Sequence, residues 1–208
     1  MLDRYALPLI TPPLYRLARQ VNNLGLGSDQ ITVSGFVLGM LALPALAWQQ
    51  YSLALLLILL NRLADGLDGI VARLTQPTDA GAYLDIVLDF IFYSAVVCGF
   101  AWADPALNAL AAATLIFAFM GTGSSFLAFA IMAERQQITS LQYPSKGFYY
   151  LGGLTEGTET IALFIAFCLF PAWFPALAYS FAGLCMITTI TRVIGGYYTL
   201  RQPMQNRV

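Results

Sequence analysis

Histidine is absent from the 208-residue chain, so any general base, metal ligand or phosphate contact must come from carboxylates, Lys, Arg, hydroxyls or backbone. Charge is scarce as well. Only 10% of the residues are Asp, Glu, Lys or Arg and 59% are apolar, against roughly 25% charged in an average soluble domain, which excludes an ordinary soluble globular protein. The three cysteines, Cys98, Cys168 and Cys185, stand singly inside apolar stretches. No paired spacing marks a thiolate metal knuckle or a disulfide framework, and they read as packing or lipid-facing residues. The N-terminal stretch lacks the continuous apolar core and small-residue cleavage site of a secretory signal, so no removal of a leader is expected.

What is present is apolar sequence in long runs. A spanning helix needs about 20 apolar residues. Runs at about 31–48, 52–74, 81–103, 107–133, 155–172 and 176–199 predict an all-α polytopic membrane bundle of six transmembrane helices. The chain reads as one membrane domain: an arm over about residues 1–30, a bundle over about 31–199 and a tail over about 200–208. In the arm, Leu14, Tyr15, Leu17 and Val21 alternate with Arg16, Arg19 and Gln20, which suits an amphipathic helix lying in the membrane interface. Pro12 and Pro13 are expected to set its start, because proline is tolerated in a first turn and not deeper.

If the six helices alternate in direction, the loop cations Arg4, Arg16, Arg19, Arg135, Lys146, Arg201 and Arg207 share one side, with Arg73 and Arg192 near helix ends on that side. The positive-inside rule makes that side cytoplasmic, with both termini. Trp48, Tyr51, Trp102 and Trp173 then form an aromatic belt at the far interface. A bacterial inner-membrane protein is the expectation.

The second and third runs contain four carboxylates where apolar sequence should continue: Asp65, Asp68, Asp85 and Asp89. Even one charge buried in a bilayer costs a few kcal/mol on insertion scales. At about 100° per residue, Asp65, Asp68, Gly69 and Ala72 share one face of the second span, and Gly81, Asp85 and Asp89, spaced by four, line one stripe of the third. Two antiparallel helices joined by a short turn can point these faces at each other. Hard oxygen donors without histidine or thiolate suit Mg²⁺, Mn²⁺ or Ca²⁺ rather than zinc. Four carboxylates can hold one or two such ions, and two are expected. Gly69 and Ala72 fit places where a flat base or a phosphate approaches the backbone closely. Asp65 lies about 12 Å along the helix from Arg73, which sets the cage beneath the cytoplasmic surface.

Two other readings compete. The aspartates could merely pair with Arg62 and Arg73 to hold the bundle, but two arginines cannot neutralise four acids, and apolar residues would serve such a strut better. Alternatively, intramembrane acids mark an ion path in a cation transporter. That reading leaves the glycine and alanine on the same face unexplained, and no inverted hydropathy repeat is evident.

The string Asp65-x-x-Asp68-Gly69-x-x-Ala72-Arg73, seven residues, then Gly81-x-x-x-Asp85-x-x-x-Asp89 resembles the defining motif of the CDP-alcohol phosphotransferases. The six-span topology, the interfacial N-terminal helix and a cytoplasmic site resemble that family too. The resemblance implies a divalent-metal-dependent enzyme that transfers a phosphate-containing group from a CDP-linked donor to an alcohol, releasing CMP without a covalent enzyme intermediate. It implies that Asp65, Asp68 and Asp85 are metal ligands and that Asp89 is both ligand and base toward the acceptor hydroxyl. Asp65, Gly69, Ala72, Arg73 and Gly81 are its implied nucleotide-binding residues. It also implies a homodimer. The donor expected is CDP-diacylglycerol in phospholipid biosynthesis, with a small CDP-alcohol and a diacylglycerol acceptor as the alternative. No nucleic acid partner is expected. The residues after Asp85 (Ile-Val-Leu) and Asp89 (Phe-Ile-Phe-Tyr) depart from the Asp-Pro and Asp-Lys neighbours of many phosphatidylglycerophosphate synthases.

Around the motif, Arg62 needs an acid partner, for which Glu156 or Glu159 is the expectation, or else a role at the acceptor site. Glu156 and Glu159 either cap the fifth span or line an acceptor pocket. Arg135, Lys146 and Arg192 suit a phosphorylated acceptor such as glycerol 3-phosphate or an inositol phosphate, or else anionic lipid headgroups. Gly121 and Gly123, and Gly35 and Gly39, read as close helix packing, a dimer seam included, or as a lipid-chain groove.

Overall fold

A computed structural model describes residues 3–136 and 155–201, with side chains from residue 11 onward. These residues are helical almost throughout. In chain order they form α1 (Asp3–Asn23), α2 (Ser28–Met40), α3 (Ala42–Ala47), α4 (Tyr51–Leu74), α5 (Asp79–Ala103), α6 (Pro105–Arg135), α7 (Gly157–Leu169) and α8 (Phe174–Arg201), with a 3₁₀ turn at Pro171–Trp173. Four stretches among them are long and apolar enough to cross a membrane: Ser28–Ala47, Asp79–Ala103, Pro105–Arg135 and Pro171–Arg201.

The other two expected spans form helices that differ from a plain lipid-spanning segment. α4 has 24 residues, enough to cross, but Arg62, Asp65 and Asp68 interrupt its apolar run. α7 has 13 residues, about 20 Å against a hydrocarbon core of about 30 Å. Phe170 and the 3₁₀ turn end it early.

Local chemistry explains the breaks. Pro44 has no N–H for the Met40 carbonyl, and the first span accordingly divides into α2 and α3 at Leu41. Gln49 reverses the chain in the left-handed region, at φ 58, and its Nε2 donates to the Ala103 carbonyl at 2.9 Å. The turn between α4 and α5 ends on Thr78, whose hydroxyl caps α5 by accepting from the Gly81 N–H at 3.0 Å. Asp104 caps α6 by accepting from the Leu107 N–H at 3.1 Å, ahead of Pro105 at the first helical position.

α1 starts earlier than its prolines suggest. It runs from Asp3, so Pro12 and Pro13 stand inside it. Packing overrides the proline penalty: Ala18 is buried with Leu67, Ile70 and Val71 of α4, flanked by Leu14 and Leu74. The rest of the helix leaves Tyr15, Arg16, Leu17 and Arg19 exposed, with the Arg19 guanidinium 5.4 Å from the Tyr15 ring.

The core lies toward the end of the bundle where α3 ends and α8 begins. Phe100 stacks on Phe174 at 4.8 Å and meets Phe167 at 5.3 Å. Tyr51, half-buried at the start of α4, packs one face of its ring on that stack, 5.8 Å from Phe100. Trp48, Trp102 and Trp173 are exposed at the same end. Cys168 and Cys185 are buried and Cys98 half-buried, all three free thiols.

The glycine stripes are consumed within the chain. A Cβ on Gly39 would stand 2.8 Å from Asn61 and from the Phe92 ring, and one on Gly121 would stand 3.0 Å from Thr189. Those helices approach so closely because no side chain intervenes.

Candidate active site

α2, α4 and α5 meet below the α4–α5 turn, and their facing residues build two adjoining cavities. The inner one, about 10 Å³, has room for at most one water and is lined by Thr32, Arg62, Asp65, Asp68, Asp85 and Asp89 among others. All four motif carboxylates therefore face one space. The outer one, about 190 Å³, is walled by Asp68, Gly69, Ala72, Arg73, Gly81 and Asp85, with Ser28, Asp29 and Thr32 from α2. Asp68 and Asp85 border both, so the two form a continuous cleft. Asp65 lies only on the inner side.

The sequence dictates this arrangement through helix period. Asp65, Asp68 and Ala72 recur on the α4 face that meets α5, and Gly81, Asp85 and Asp89 recur every four residues on the α5 face that meets α4. Asp68 is 5% exposed and accepts a 2.5 Å hydrogen bond from the Thr32 hydroxyl. Asp65 and Asp89 keep about a third of their side-chain surface, 34% and 31%, so the cleft stays open to a ligand on that side.

Gly69 and Gly81 occupy different surroundings. A Cβ on Gly69 would meet nothing nearer than Arg73 Nη1 at 3.6 Å, so this glycine leaves the wall of the outer cavity bare. A Cβ on Gly81 would come within 2.8 Å of Asp29 Oδ1 and 3.1 Å of the Thr78 hydroxyl. Gly81 thus lets the start of α2 close over the cap of α5.

Arg62 does not pair with Glu156 or Glu159. Its Nη2 lies 2.7 Å from Asp89 Oδ1 and its Nη1 3.6 Å from Asp65 Oδ2. The reason is direction: Asp65 lies one turn along the same helix, and Asp89 lies across the α4–α5 seam, whereas Glu159 turns back to accept from the Glu156 N–H at 3.2 Å. Glu159 thus caps the start of α7.

Of the cationic residues expected to meet an acceptor phosphate, two lie among the described residues. Arg192 of α8 donates to the Thr122 carbonyl at 3.2 Å and covers the Phe126 ring at 5.7 Å. Arg135 is exposed in the last turn of α6. Neither lines either cavity. Lys146 lies outside the described residues.

Three participants escaped sequence reasoning. Thr32 reaches the site only because α2 packs against α4, which spacing within one helix cannot reveal. Asn61, whose Oδ1 accepts from Arg62 and whose Nδ2 donates to the Gly35 carbonyl, likewise depends on the packing of α2 against α4. Tyr93, whose hydroxyl accepts from Arg62 Nη1 at 3.3 Å, did carry a signal, since it continues the four-residue spacing of Gly81, Asp85 and Asp89.

The donor set suits a hard divalent cation. Four carboxylates face one space, and Arg62 is the cation lining the inner cavity with them, which leaves negative charge for a divalent ion to balance. Among the described residues, no three carboxylates or thiols converge closely enough to grip an ion as they stand.

Comparison with known proteins points the same way. The family model described as CDP-alcohol phosphatidyltransferase matches residues 27–194. An Escherichia coli K12 relative, inner membrane protein YnjF, is 56% identical over 201 residues, covering 97% of this chain and 98% of that one. The archaetidylinositol phosphate synthase of Pyrococcus horikoshii is 28% identical over 187 residues, covering 89% and 92%. Among solved structures, Mycobacterium tuberculosis phosphatidylinositol phosphate synthase (PgsA1) with CDP-DAG bound shares the fold, with a TM-score of 0.65 at 21% identity over 88% of this chain and 93% of that one. The same enzyme in complex with manganese and citrate gives 0.62 at 21% identity, covering 88% of each chain.

Proposed function

The chain belongs to the CDP-alcohol phosphatidyltransferase family, and from that premise we propose that it transfers a phosphatidyl group from CDP-diacylglycerol to an alcohol, releasing CMP. The observation that carries the proposal is the cleft: the carboxylates of Asp65, Asp68, Asp85 and Asp89 face one inner space that opens into a cavity walled by Gly69 and Ala72. A bare glycine wall suits a flat pyrimidine, and the carboxylates suit divalent ions held against a diphosphate.

In this reading Asp65, Asp68 and Asp85 hold Mg²⁺ or Mn²⁺ with Asp89, and Gly69, Ala72, Arg73 and Gly81 border the nucleotide alongside Asp65. The ions, when bound, neutralise the diphosphate and the CMP phosphate that leaves. Asp89 takes the proton of the acceptor hydroxyl. The acceptor oxygen then bonds to the lipid-side phosphorus, and the bond from that phosphorus to CMP breaks with its electron pair going to CMP. Thr32 holds the Asp68 carboxylate.

The membrane arrangement we propose counts α4 and α7 with the four longer apolar stretches, giving six spans in one domain. α1 lies in the interface, both termini and the cleft are cytoplasmic, and two copies associate. A phosphorylated alcohol is the leading acceptor, with Arg135, Lys146 and Arg192 as its candidate contacts. The products named for the Pyrococcus and Mycobacterium relatives, each an inositol phosphate lipid, favour that class.

The test is CMP release by the purified protein from CDP-diacylglycerol across a panel of alcohols, with radiolabelled lipid as product. Release that requires both a divalent metal and one of the alcohols is the expected result. Cation flux into vesicles without any nucleotide dependence would instead establish a transporter and end the proposal. Within the same assay, Thr32→Val is expected to lower activity about tenfold, because a hydrogen bond to a charged group contributes about 1.5–3 kcal/mol. Unchanged metal dependence and rate would separate Thr32 from the site.

A further inference from the structure

Arg62 has no task in the reaction as written, yet it is bound as few surface arginines are. Its side chain is 8% exposed, with its guanidinium against the rings of Phe92 at 4.9 Å and Tyr93 at 5.2 Å. Nε and Nη2 donate to Asn61 Oδ1 at 2.8 and 2.5 Å. Nη2 also donates to Asp89 Oδ1 at 2.7 Å, and Nη1 donates to Asp89 Oδ2 and to the Tyr93 hydroxyl, each at 3.3 Å. Asn61 is itself anchored, with Nδ2 donating to the Gly35 carbonyl at 3.0 Å.

Three consequences follow from that geometry. A guanidinium has five N–H donors, and these five bonds use all of them, so Arg62 has none left for an acceptor phosphate. It acts through Asp89. Both oxygens of Asp89 are held from one side by a planar fork, which fixes the carboxylate's rotation and leaves its remaining lone pairs facing the cavity. Finally, a full positive charge stands against Asp89 and 3.6 Å from Asp65, where it lessens the pull of the cleft on any other cation.

We infer that Arg62 is the positioning residue for Asp89 and a resident counter-cation of the cleft, keeping the base aligned while weakening divalent-ion binding. The inference rests on the proposed role of Asp89. A mere strut between α4 and α5 behaves differently: its removal lowers fold stability and ion binding together.

The experiment compares wild type, Arg62→Gln and Arg62→Lys in lipid nanodiscs, with Mn²⁺ binding followed by electron paramagnetic resonance, CMP release by kinetics and folding by thermal denaturation. Arg62→Gln is expected to bind Mn²⁺ about tenfold more tightly, since a nearby cation is gone. Its kcat is expected to fall about 10²-fold with the donor KM held, as misplacement of a reacting group predicts. Arg62→Lys keeps the charge and loses the fork, so it retains wild-type Mn²⁺ affinity with the lowered kcat. Unchanged or weaker Mn²⁺ binding by Arg62→Gln, or wild-type kcat in Arg62→Lys, overturns the inference. If Arg62→Gln does not fold, Arg62→Lys alone decides by the same criterion. Asp68→Asn is the control for the parent reading: Mn²⁺ binding equal to wild type there removes the metal cleft, and this inference with it.

Discussion

Asp89→Asn is expected to lower CMP release by about 10³-fold or more, at the upper range for removing a general base, while CDP-diacylglycerol still raises the unfolding temperature. The substitution keeps the size of the side chain and removes its capacity to take a proton. It has a second effect. Asp89 meets Arg62 with two acceptor oxygens, whereas an asparagine offers one oxygen and one NH₂, so one guanidinium N–H faces another donor in a buried space. Both effects reduce turnover, but they separate in the double variant. If loss of the base dominates, adding Arg62→Gln to Asp89→Asn costs almost nothing further, because the fork has no base left to align. An Asp89→Asn protein with wild-type turnover would remove Asp89 from the chemistry and leave it as the partner of Arg62 alone.

The site was legible where its logic runs along single helices. Asp65 and Asp68 on one face, and Gly81, Asp85 and Asp89 on another, follow from a period of about 3.6 residues, and only the turn near Pro77 was needed to bring the faces together. What ran between helices was not legible. Arg62 had acidic candidates on the fifth span, and the choice between them and the motif aspartates depends on side-chain direction at a helix seam, which no spacing encodes. Thr32 is one of many threonines until α2 is known to lie against α4. The start of α1 at Asp3 is not legible for a related reason: proline in a helix interior carries a real local penalty, and the burial of Ala18 against Leu67 and Val71 outweighs it only once the partner surface exists. Tyr51 stands beside Trp48 as an interfacial residue would, and its contact with Phe100 is a second thing that its place in the sequence does not reveal.

Gly69→Leu carries the other large expectation, and it separates the outer cavity from the packing of the bundle. A glycine in mid-helix is less stable than leucine by somewhat under about 1 kcal/mol, so the fold by itself favours the substitution. Nothing crowds the position: the nearest atom to a Cβ there is the end of the flexible Arg73 side chain at 3.6 Å. Gly39 provides the contrast, since a Cβ at that site runs into Asn61 and Phe92 at 2.8 Å and a larger residue must push α2 off α4. The leucine at 69 projects into the roughly 190 Å³ space that it shares with Ala72 and Asp85, displacing whatever flat group lies against the helix. The expected result is an unfolding temperature equal to or above wild type, together with a loss of about 10³ in kcat/KM for CDP-diacylglycerol, or about 4 kcal/mol. Most of that loss should appear in KM, and Mn²⁺ binding at the inner carboxylates should survive. A stable Gly69→Leu protein with unimpaired KM would mean that the nucleotide enters elsewhere, because no base can stack on a wall already covered by an isobutyl group.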